Sequence, residues 1–240
     1  MKRLLLAVIL AVILNVVNAY GEDLGWWHFN ETEGSQAKDS SSYNTPGAIV
    51  GSDYKWVKGI FDGALFLDSN SYLTMDCPKD GHLDFDAGQN FTITLLVKGE
   101  RMQPGFGGYG LVSKKTGMST DSGFDLSYNG GNLRYEIADV SGAREAFYIK
   151  GLADGWHYIA FGRSGEVMFV RIYTLSNGKV QMVEDTKTKT AGSLANNQDF
   201  RVNISGWPSF KITLDELRVR DEDARGSLQS EAEQCFGIRH

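Results

Sequence analysis

Hydrophobic and polar side chains alternate along segment 91–98, which reads FTITLLVK. Phenylalanine, isoleucine, leucine and valine fall on one side of this segment, and threonines and a lysine fall on the other. A period of two residues is typical of a β-strand with one buried face. Leu96 interrupts the polar side, which indicates that the second face of this strand is also partly covered.

Short hydrophobic runs bounded by turn residues recur along the chain, and they indicate many further strands. The predicted strands cover residues 24–30, 64–68, 72–76, 110–114, 124–128, 132–138, 145–150, 156–163, 167–174, 179–184 and 211–219. Asn177-Gly178 stands between two of these runs and is the strongest hairpin signal, because both residues tolerate positive φ angles. A helical period occurs only near the end, over residues 224–235.

A dozen short strands with almost no helix predict an all-β fold. We expect a two-sheet antiparallel β-sandwich with a short C-terminal helix. The composition agrees, since 42% of the residues are hydrophobic and the 28 glycines suit many tight turns. The chain has no linker, low-complexity tract or repeat of fixed period, so residues 20–240 are predicted to form one domain.

Residues 1–19 have the pattern of a signal peptide. Lys2 and Arg3 precede an apolar run, and Ala19 ends a segment suited to cleavage before Tyr20. A membrane span needs about 20 apolar residues, and Asn15 interrupts this run early. The alternative is an uncleaved anchor. No later segment is long enough to span a membrane, so a secreted protein, extracellular or periplasmic, is expected.

Charge and cysteine content exclude further classes of protein. The formal net charge of −6 argues against nucleic acid or an anionic lipid surface as a partner. Two cysteines cannot build a four-cysteine zinc site. In an oxidising compartment Cys77 and Cys235 could form a disulfide, and two free thiols are the alternative. Glycosylation sequons begin at Asn30, Asn90 and Asn203.

Five motifs, in chain order, resemble the laminin-G-like (LamG) domains of the concanavalin A-like lectin/glucanase superfamily. Each motif is weak alone, but together they run in the expected order from about Leu24 to Val219, a span that is nearly the whole of the predicted mature chain. They are Trp27-His28-Phe29 with Asp39-Ser40-Ser41, GIFDGALFLD at 59–68, FTITLLVK at 91–98, WHYIA at 156–160 and LDELRV at 214–219.

This resemblance implies a jelly roll of two antiparallel sheets, which usually serves as a binding module. It also implies a structural Ca²⁺ ion held by Asp39, Asn44 and Asp215, because oxygen ligands suit a hard cation. The hydrophobic phase slips by one residue at Asp215-Glu216, which predicts a β-bulge. The alternative is that Asp39 caps a turn and that Asp215 pairs with an arginine such as Arg218.

Catalytic motifs are scarce in this sequence. It has no Glu-x-Asp-x-Glu or Glu-x-Asp-x-x-Glu strand of a retaining glucanase, no G-x-S-x-G and no histidine pair at metal-binding spacing. Glu216-Leu217-Arg218 is similar to one alginate-lyase motif, but the Gln-x-His motif of those enzymes is missing. No catalytic residue is assigned, and the sequence favours a non-catalytic protein.

Sugar contacts require exposed aromatic faces beside polar groups. Tyr109, Tyr128 and Trp207 stand in or beside predicted loops and are the carbohydrate-binding candidates, with burial in the core as the alternative. The first hypothesis is a secreted, calcium-stabilised lectin or adhesion-like module that binds a polysaccharide or glycoprotein glycan. A lyase or glycoside hydrolase of the same superfamily is the second. The third is a structural subunit whose partner is protein, or a second copy of itself.

Overall fold

The computed structural model describes residues 21–99, 109–115, 121–129, 132–150, 154–188, 192–204 and 211–238. Its strands are β1 (Asp23–Trp27), β2 (Gln36–Ala37), β3 (Gly47–Val50), β4 (Tyr54–Lys58), β5 (Gly63–Leu67), β6 (Tyr72–Met75), β7 (Phe91–Gly99), β8 (Tyr109–Lys114), β9 (Gly123–Asn129), β10 (Asn132–Ala138), β11 (Arg144–Lys150), β12 (Gly155–Ser164), β13 (Val167–Ser176), β14 (Lys179–Thr188), β15 (Phe200–Val202) and β16 (Ile212–Arg220). A 3-10 turn at Ala224–Gly226 leads into helix α1 (Leu228–Cys235).

The strands form two antiparallel sheets. The first sheet has the order β14-β13-β12-β7-β16-β5-β4, and β1 also pairs with β16. The second sheet has the order β11-β10-β9-β8-β15-β6-β3-β2. The two-sheet antiparallel sandwich and the short C-terminal helix predicted from the sequence are therefore confirmed.

The hydrophobic core lies between the two sheets. Alternate residues of β7, from Phe91 to Val97, face it and are fully buried, which explains the period of two in segment 91–98. The other face of β7 is covered by the C-terminal segment. Leu96 packs there with Tyr158, Phe169 and Leu228 of α1, so the predicted covering of this second face is confirmed.

Two local predictions are confirmed by the backbone. Asn177 and Gly178 have φ angles of 51° and 72° and connect β13 to β14, as a two-residue hairpin turn requires. In β16, Asp215 lies opposite Leu96 and Arg218 lies opposite Thr94. Three steps along β16 therefore match two steps along β7, and this mismatch is the predicted β-bulge.

Four strands are missing from the sequence prediction, namely β2, β3, β4 and β15. All four have five residues or fewer, and most side chains of β4 are at least partly exposed. A short strand without a clean alternation leaves little periodic signal. Strand β15 is only three residues long and pairs with β6 and β8, which are distant from it in sequence.

The cysteines are not paired. Cys77 and Cys235 are free thiols in the structure. Cys77 follows β6 of the second sheet, where its Sγ lies 3.6 Å from the Asn196 carbonyl oxygen. Cys235 ends α1, which packs on the outer face of the first sheet. The disulfide prediction is therefore not supported, because the sandwich separates the two residues.

The predicted signal peptide, residues 1–19, lies outside the described residues. Helix α1, with eight residues, is much too short to cross a membrane. Across the described part of the chain, no helix combines the length and the hydrophobicity that a membrane span requires.

Candidate functional site: a cleft beside the β16 bulge

An open cleft of about 240 Å³ lies on the outer face of the first sheet, where α1 leaves strands β1 and β16 uncovered. Its lining combines aromatic rings, carboxylates, a guanidinium and an amide. The lining residues are Trp26, Phe61, Thr94, Tyr158, Glu216, Arg218, Glu231, Gln234 and Cys235.

Strand alternation places one of two adjacent tryptophans in this cleft. Trp27 is fully buried in the core, whereas Trp26 points to the outer face. Arg218 lies opposite Trp26 in the β1–β16 pairing, and its guanidinium carbon is 4.5 Å from the indole centroid. Two hydrogen bonds of 2.6 and 3.0 Å to Asp23 hold this guanidinium in place. The Trp26–Arg218 cation–π pair is therefore a fixed part of the cleft wall.

The β16 bulge aims a carboxylate into the cleft. Glu216 has a φ angle of 49°, which is unusual for a residue with a side chain. Its carboxylate accepts a 2.6 Å hydrogen bond from Trp26 Nε1 and lies 2.8 Å from His28 Nδ1. Ser40 Oγ lies 3.0 Å from the other nitrogen of that histidine. The bulge therefore ties β1 and the loop after it to one side of the cleft.

Helix α1 contributes a second carboxylate. Glu231 accepts a 2.6 Å hydrogen bond from the Tyr158 hydroxyl, two bonds from Arg220 and one from Ser227. Burial raises the pKa of Glu231, but these hydrogen bonds outweigh burial and hold the pKa below its ordinary value. Glu231 is therefore ionised at neutral pH and is a hydrogen-bond acceptor rather than a general acid.

Two further groups border the cleft without offering reactive chemistry at neutral pH. Burial and, to a smaller extent, the charges of Glu231 and Glu216 raise the pKa of the Cys235 thiol to about 12, so this thiol is not a thiolate nucleophile at neutral pH. Burial raises the pKa of Asp215 to about 6, against hydrogen bonds from the backbone amides of Phe61 and Ile60. Asp215 is fully buried, so it does not face a ligand.

The predicted calcium ligands have other partners in the structure. The Asp39 carboxylate accepts hydrogen bonds from the backbone amides of Trp26, Ser41 and Thr45 and from the Ser41 hydroxyl. Asp39 thus caps its own loop, as the alternative interpretation expects. Asn44 is exposed, with a φ angle of 50°. Among the described residues, no group of three or more His, Cys, Asp or Glu could hold a metal ion.

Among the described residues, no arginine pairs with Asp215. Arg218 pairs with Asp23 instead. One Asp215 oxygen accepts the hydrogen bonds from the Ile60 and Phe61 amides, and the other has no hydrogen-bond partner in the described part of the chain. Calcium at Asp39, Asn44 and Asp215 stays a prediction.

The predicted sugar-contact residues do not lie in this cleft. Tyr128 is 1% exposed and belongs to the core, because β9 turns Phe124, Leu126 and Tyr128 to the inner side of the second sheet. Tyr128 is therefore not available to stack on a sugar, and this prediction is wrong. Tyr109 is the first residue of β8, but its side chain is outside the described part of the chain, as is Trp207.

One of the three sequons is also buried. Asn203 is 1% exposed, and its side-chain amide donates hydrogen bonds to the carbonyl oxygens of Ser71 and Asp68. A glycan on that nitrogen would have to displace both bonds, so modification of Asn203 does not fit the folded chain. Asn30 and Asn90 are exposed, and their glycosylation stays a prediction.

Sequence reasoning missed most of the cleft. Phe61, Glu231 and Gln234 come from a loop and a helix that approach the first sheet only in the folded chain. Two signals were present, however. The phase slip at Asp215-Glu216 marks the bulge, and the adjacent tryptophans require one ring on the outer face.

The fold and the cleft define a β-sandwich domain with a ligand-sized depression on an outer sheet face. Residues 34–223 match the family described as "Clostridium neurotoxin, N-terminal receptor binding". The chain belongs to this family. A comparison with curated protein sequences gives no match.

Several solved structures have a similar fold. The binding domain of Paraclostridial Mosquitocidal Protein 1 superimposes with a TM-score of 0.65 at 19% identity, over 90% of this chain and 52% of that one. The botulinum neurotoxin serotype G binding domain superimposes with a TM-score of 0.64 at 16% identity, over 88% of this chain and 50% of that one. The botulinum neurotoxin serotype D binding domain superimposes with a TM-score of 0.65 at 12% identity, over 90% of this chain and 52% of that one. The chain thus spans about half the length of these structures.

The family match overturns the LamG assignment. Segments 59–68, 91–98 and 214–219 correspond to strands β5, β7 and β16 with their turns, and one set of apolar side chains in each strand faces the core. Any antiparallel sandwich needs alternating apolar residues and turn glycines of this kind. The five motifs therefore indicate the architecture and do not identify the family.

Proposed function

We propose that this protein is a non-catalytic module that binds a receptor or glycan on a cell surface. The observation that carries the proposal is the match of residues 34–223 to the receptor-binding family. The cleft beside the β16 bulge supports it, because Trp26 and Phe61 supply apolar surface while Glu216 and Gln234 supply hydrogen-bonding groups. Concave sites that combine apolar walls with a few fixed polar groups are typical of small-ligand recognition.

The electrostatics of the cleft favour binding over catalysis. Hydrogen bonds hold Glu231 ionised and burial holds Cys235 protonated, so at neutral pH Glu231 is not a general acid and Cys235 is not a thiolate nucleophile. We also propose an extracellular location and a jelly-roll arrangement of the two sheets. A cell-surface ligand requires that location, and curved antiparallel sheets suit an exposed binding face.

Substitution at the cleft rim tests the proposal. Phe61 is 37% exposed, and we expect Phe61→Ala to weaken binding of fluorescently labelled protein to intact cells or to a glycan array about fivefold. The matched control is Val57→Ala in the neighbouring strand β4, which is also 37% exposed but does not line the cleft. Equal binding by the two variants would place recognition elsewhere, and absence of any binding would contradict the proposed function.

Calcium stabilisation has a direct thermal test. Because the oxygens of Asp39 already accept three hydrogen bonds from their own loop and one from the Trp26 amide of β1, we expect the melting midpoint to be the same in EGTA as in excess Ca²⁺. A midpoint several degrees higher in calcium, lost in Asp39→Asn, would instead support a bound ion.

A further inference from the structure

The outer face of the second sheet carries a group of charged residues that the cleft does not involve. Strands β9, β10 and β11 turn their apolar residues to the core, which leaves the alternate positions on the outer face. Cross-strand pairing places Asp125 opposite Glu136 and Arg134 opposite Tyr148. On β11, Arg144 and Tyr148 lie on the same face with the small residue Ala146 between them.

Glu136 gathers three cations at this face. Only 1% of its side chain is exposed, and Lys115 Nζ donates to its Oε1 while Arg134 donates to its Oε2. Arg144 reaches the same Oε2 through its Nε at 2.6 Å and through a terminal nitrogen at 2.5 Å. The other terminal nitrogen of Arg134 lies 3.7 Å from Asp125. We call these five side chains the Glu136 cluster.

The Glu136 cluster carries more positive than negative charge. Three cations face two carboxylates, so at least one positive charge has no counter-ion within the cluster even when both carboxylates are ionised. Burial raises the pKa of Asp125 to about 6, so the excess becomes larger in mild acid. A positive excess in a chain whose formal net charge is −6 is a local feature of this face.

The exposed parts of this face suit a particular ligand. The Arg144 side chain is 37% exposed and already oriented by Glu136, and oriented guanidinium groups bind carboxylate and sulfate well. Tyr148 is 54% exposed, directly opposite Arg134, and an exposed aromatic ring can stack on the C–H face of a sugar. Ala146, which lies between these two residues on the same face, has only a methyl side chain.

We propose that the outer face of β10 and β11 binds an acidic saccharide, with Arg144 and Arg134 holding its carboxylate or sulfate group and Tyr148 stacking on its ring. Glu136 acts as a positioning residue, because its Oε2 accepts hydrogen bonds from both guanidinium groups, and Lys115 holds the same carboxylate through Oε1. This surface is on the sheet opposite the cleft, so the proposal does not depend on the function assigned to the cleft.

Calorimetric titration of the full chain with three oligosaccharides of equal length tests the proposal. A hyaluronan tetrasaccharide supplies carboxylates, a chondroitin sulfate tetrasaccharide supplies carboxylates and sulfates, and chitotetraose is the neutral reference. We expect at least one acidic tetrasaccharide to bind and chitotetraose not to bind. We expect Arg144→Gln to weaken that binding about tenfold and Tyr148→Ala to weaken it about fivefold.

The matched control is Arg201→Gln. Arg201 is on β15 of the same sheet, has a 38% exposed side chain and pairs with Asp199. Its substitution therefore removes one positive charge, as Arg144→Gln does, but at a position outside the Glu136 cluster. Both variants alter exposed side chains, and circular dichroism verifies that each remains folded. A change from about pH 7.5 to about pH 5.5 should tighten binding in the unsubstituted protein, because protonation of Asp125 removes a negative charge beside Arg134.

Three outcomes would overturn the proposal. The first is absence of binding by both acidic tetrasaccharides, and the second is binding of chitotetraose with equal affinity. The third is an equal loss of affinity in Arg144→Gln and Arg201→Gln, which would mean that the weaker binding follows from the change in net charge and not from the Glu136 cluster. Weaker binding at pH 5.5 would likewise contradict the assigned role of the cluster.

Discussion

Substitution of Glu136 by glutamine is expected to lower the free energy of unfolding by about 3–5 kcal/mol. Glutamine has nearly the same shape, but it cannot balance the charges of Lys115, Arg134 and Arg144, which all bond to the Glu136 carboxylate. Removal of one partner from a buried ion group leaves desolvated charge without compensation, which costs far more than the loss of a surface pair. Urea unfolding monitored by tryptophan fluorescence gives the difference directly.

The matched control for this prediction is Glu184→Gln. Glu184 accepts a 2.8 Å hydrogen bond from Arg171 on the first sheet, but its side chain is 29% exposed, so a loss of at most about 1 kcal/mol is expected. If both variants lose the same small amount, the Glu136 cluster is not a buried electrostatic unit and the acidic-saccharide site loses its positioning residues.

The pH dependence of stability adds an independent readout for Glu136. Burial raises the pKa of Glu136, but the bonds from Lys115, Arg134 and Arg144 outweigh it and lower the pKa below the ordinary value. A lowered carboxyl pKa stabilises the fold above the unfolded-state pKa, and this contribution is lost as the pH falls through the folded-state pKa. Between about pH 5 and about pH 3, the unsubstituted protein should therefore lose more stability than Glu136→Gln.

Substitution of Phe124 by alanine is expected to lower the free energy of unfolding by about 3–5 kcal/mol. The Phe124 ring is 1% exposed and lies at the centre of an aromatic cluster in the core. Its centroid is 5.9 Å from Phe85, 5.8 Å from Phe91, 6.2 Å from Phe161 and 5.9 Å from Phe200. Because these rings come from both sheets and a connecting loop, the cavity cannot close without moving several elements.

Tyr148→Ala is the control for Phe124→Ala, because it removes an aromatic ring from the same sheet at a 54% exposed position. We expect it to cost less than about 1 kcal/mol. Denaturant midpoints with unchanged slopes would assign both effects to the folded state. A loss at Phe124 no larger than the loss at Tyr148 would mean that the aromatic cluster is not a tightly packed part of the core.

The alternation of hydrophobic positions was sufficient to predict the sandwich. The strands over 91–98 and 124–128 show the period of two because one face of each packs against the other sheet. The same reasoning misplaced Tyr128, however. It was predicted to end a strand beside a loop and so to be accessible to a sugar, whereas β9 continues through Asn129 and turns Tyr128 inward.

The family could not be read from short motifs. Segments such as Trp156-His157 follow the requirements of a strand, and the same requirements apply to every antiparallel sandwich. A match across residues 34–223 tests many positions together, including loops that no strand rule constrains. That is why the longer comparison corrected the LamG assignment while leaving the predicted architecture intact.

By itself the sequence determined the local features of this protein: the strand class, the Asn177-Gly178 turn and the phase slip that produces the bulge at Glu216. Each depends on residues that are neighbours along the chain, so a local pattern is enough to reveal it. Only the tertiary structure decided which side chains meet. Trp26 and Glu216 are 190 positions apart and share a hydrogen bond, and Lys115, just after β8, reaches Glu136 on β10. Such contacts follow from strand order and register, which no local pattern specifies.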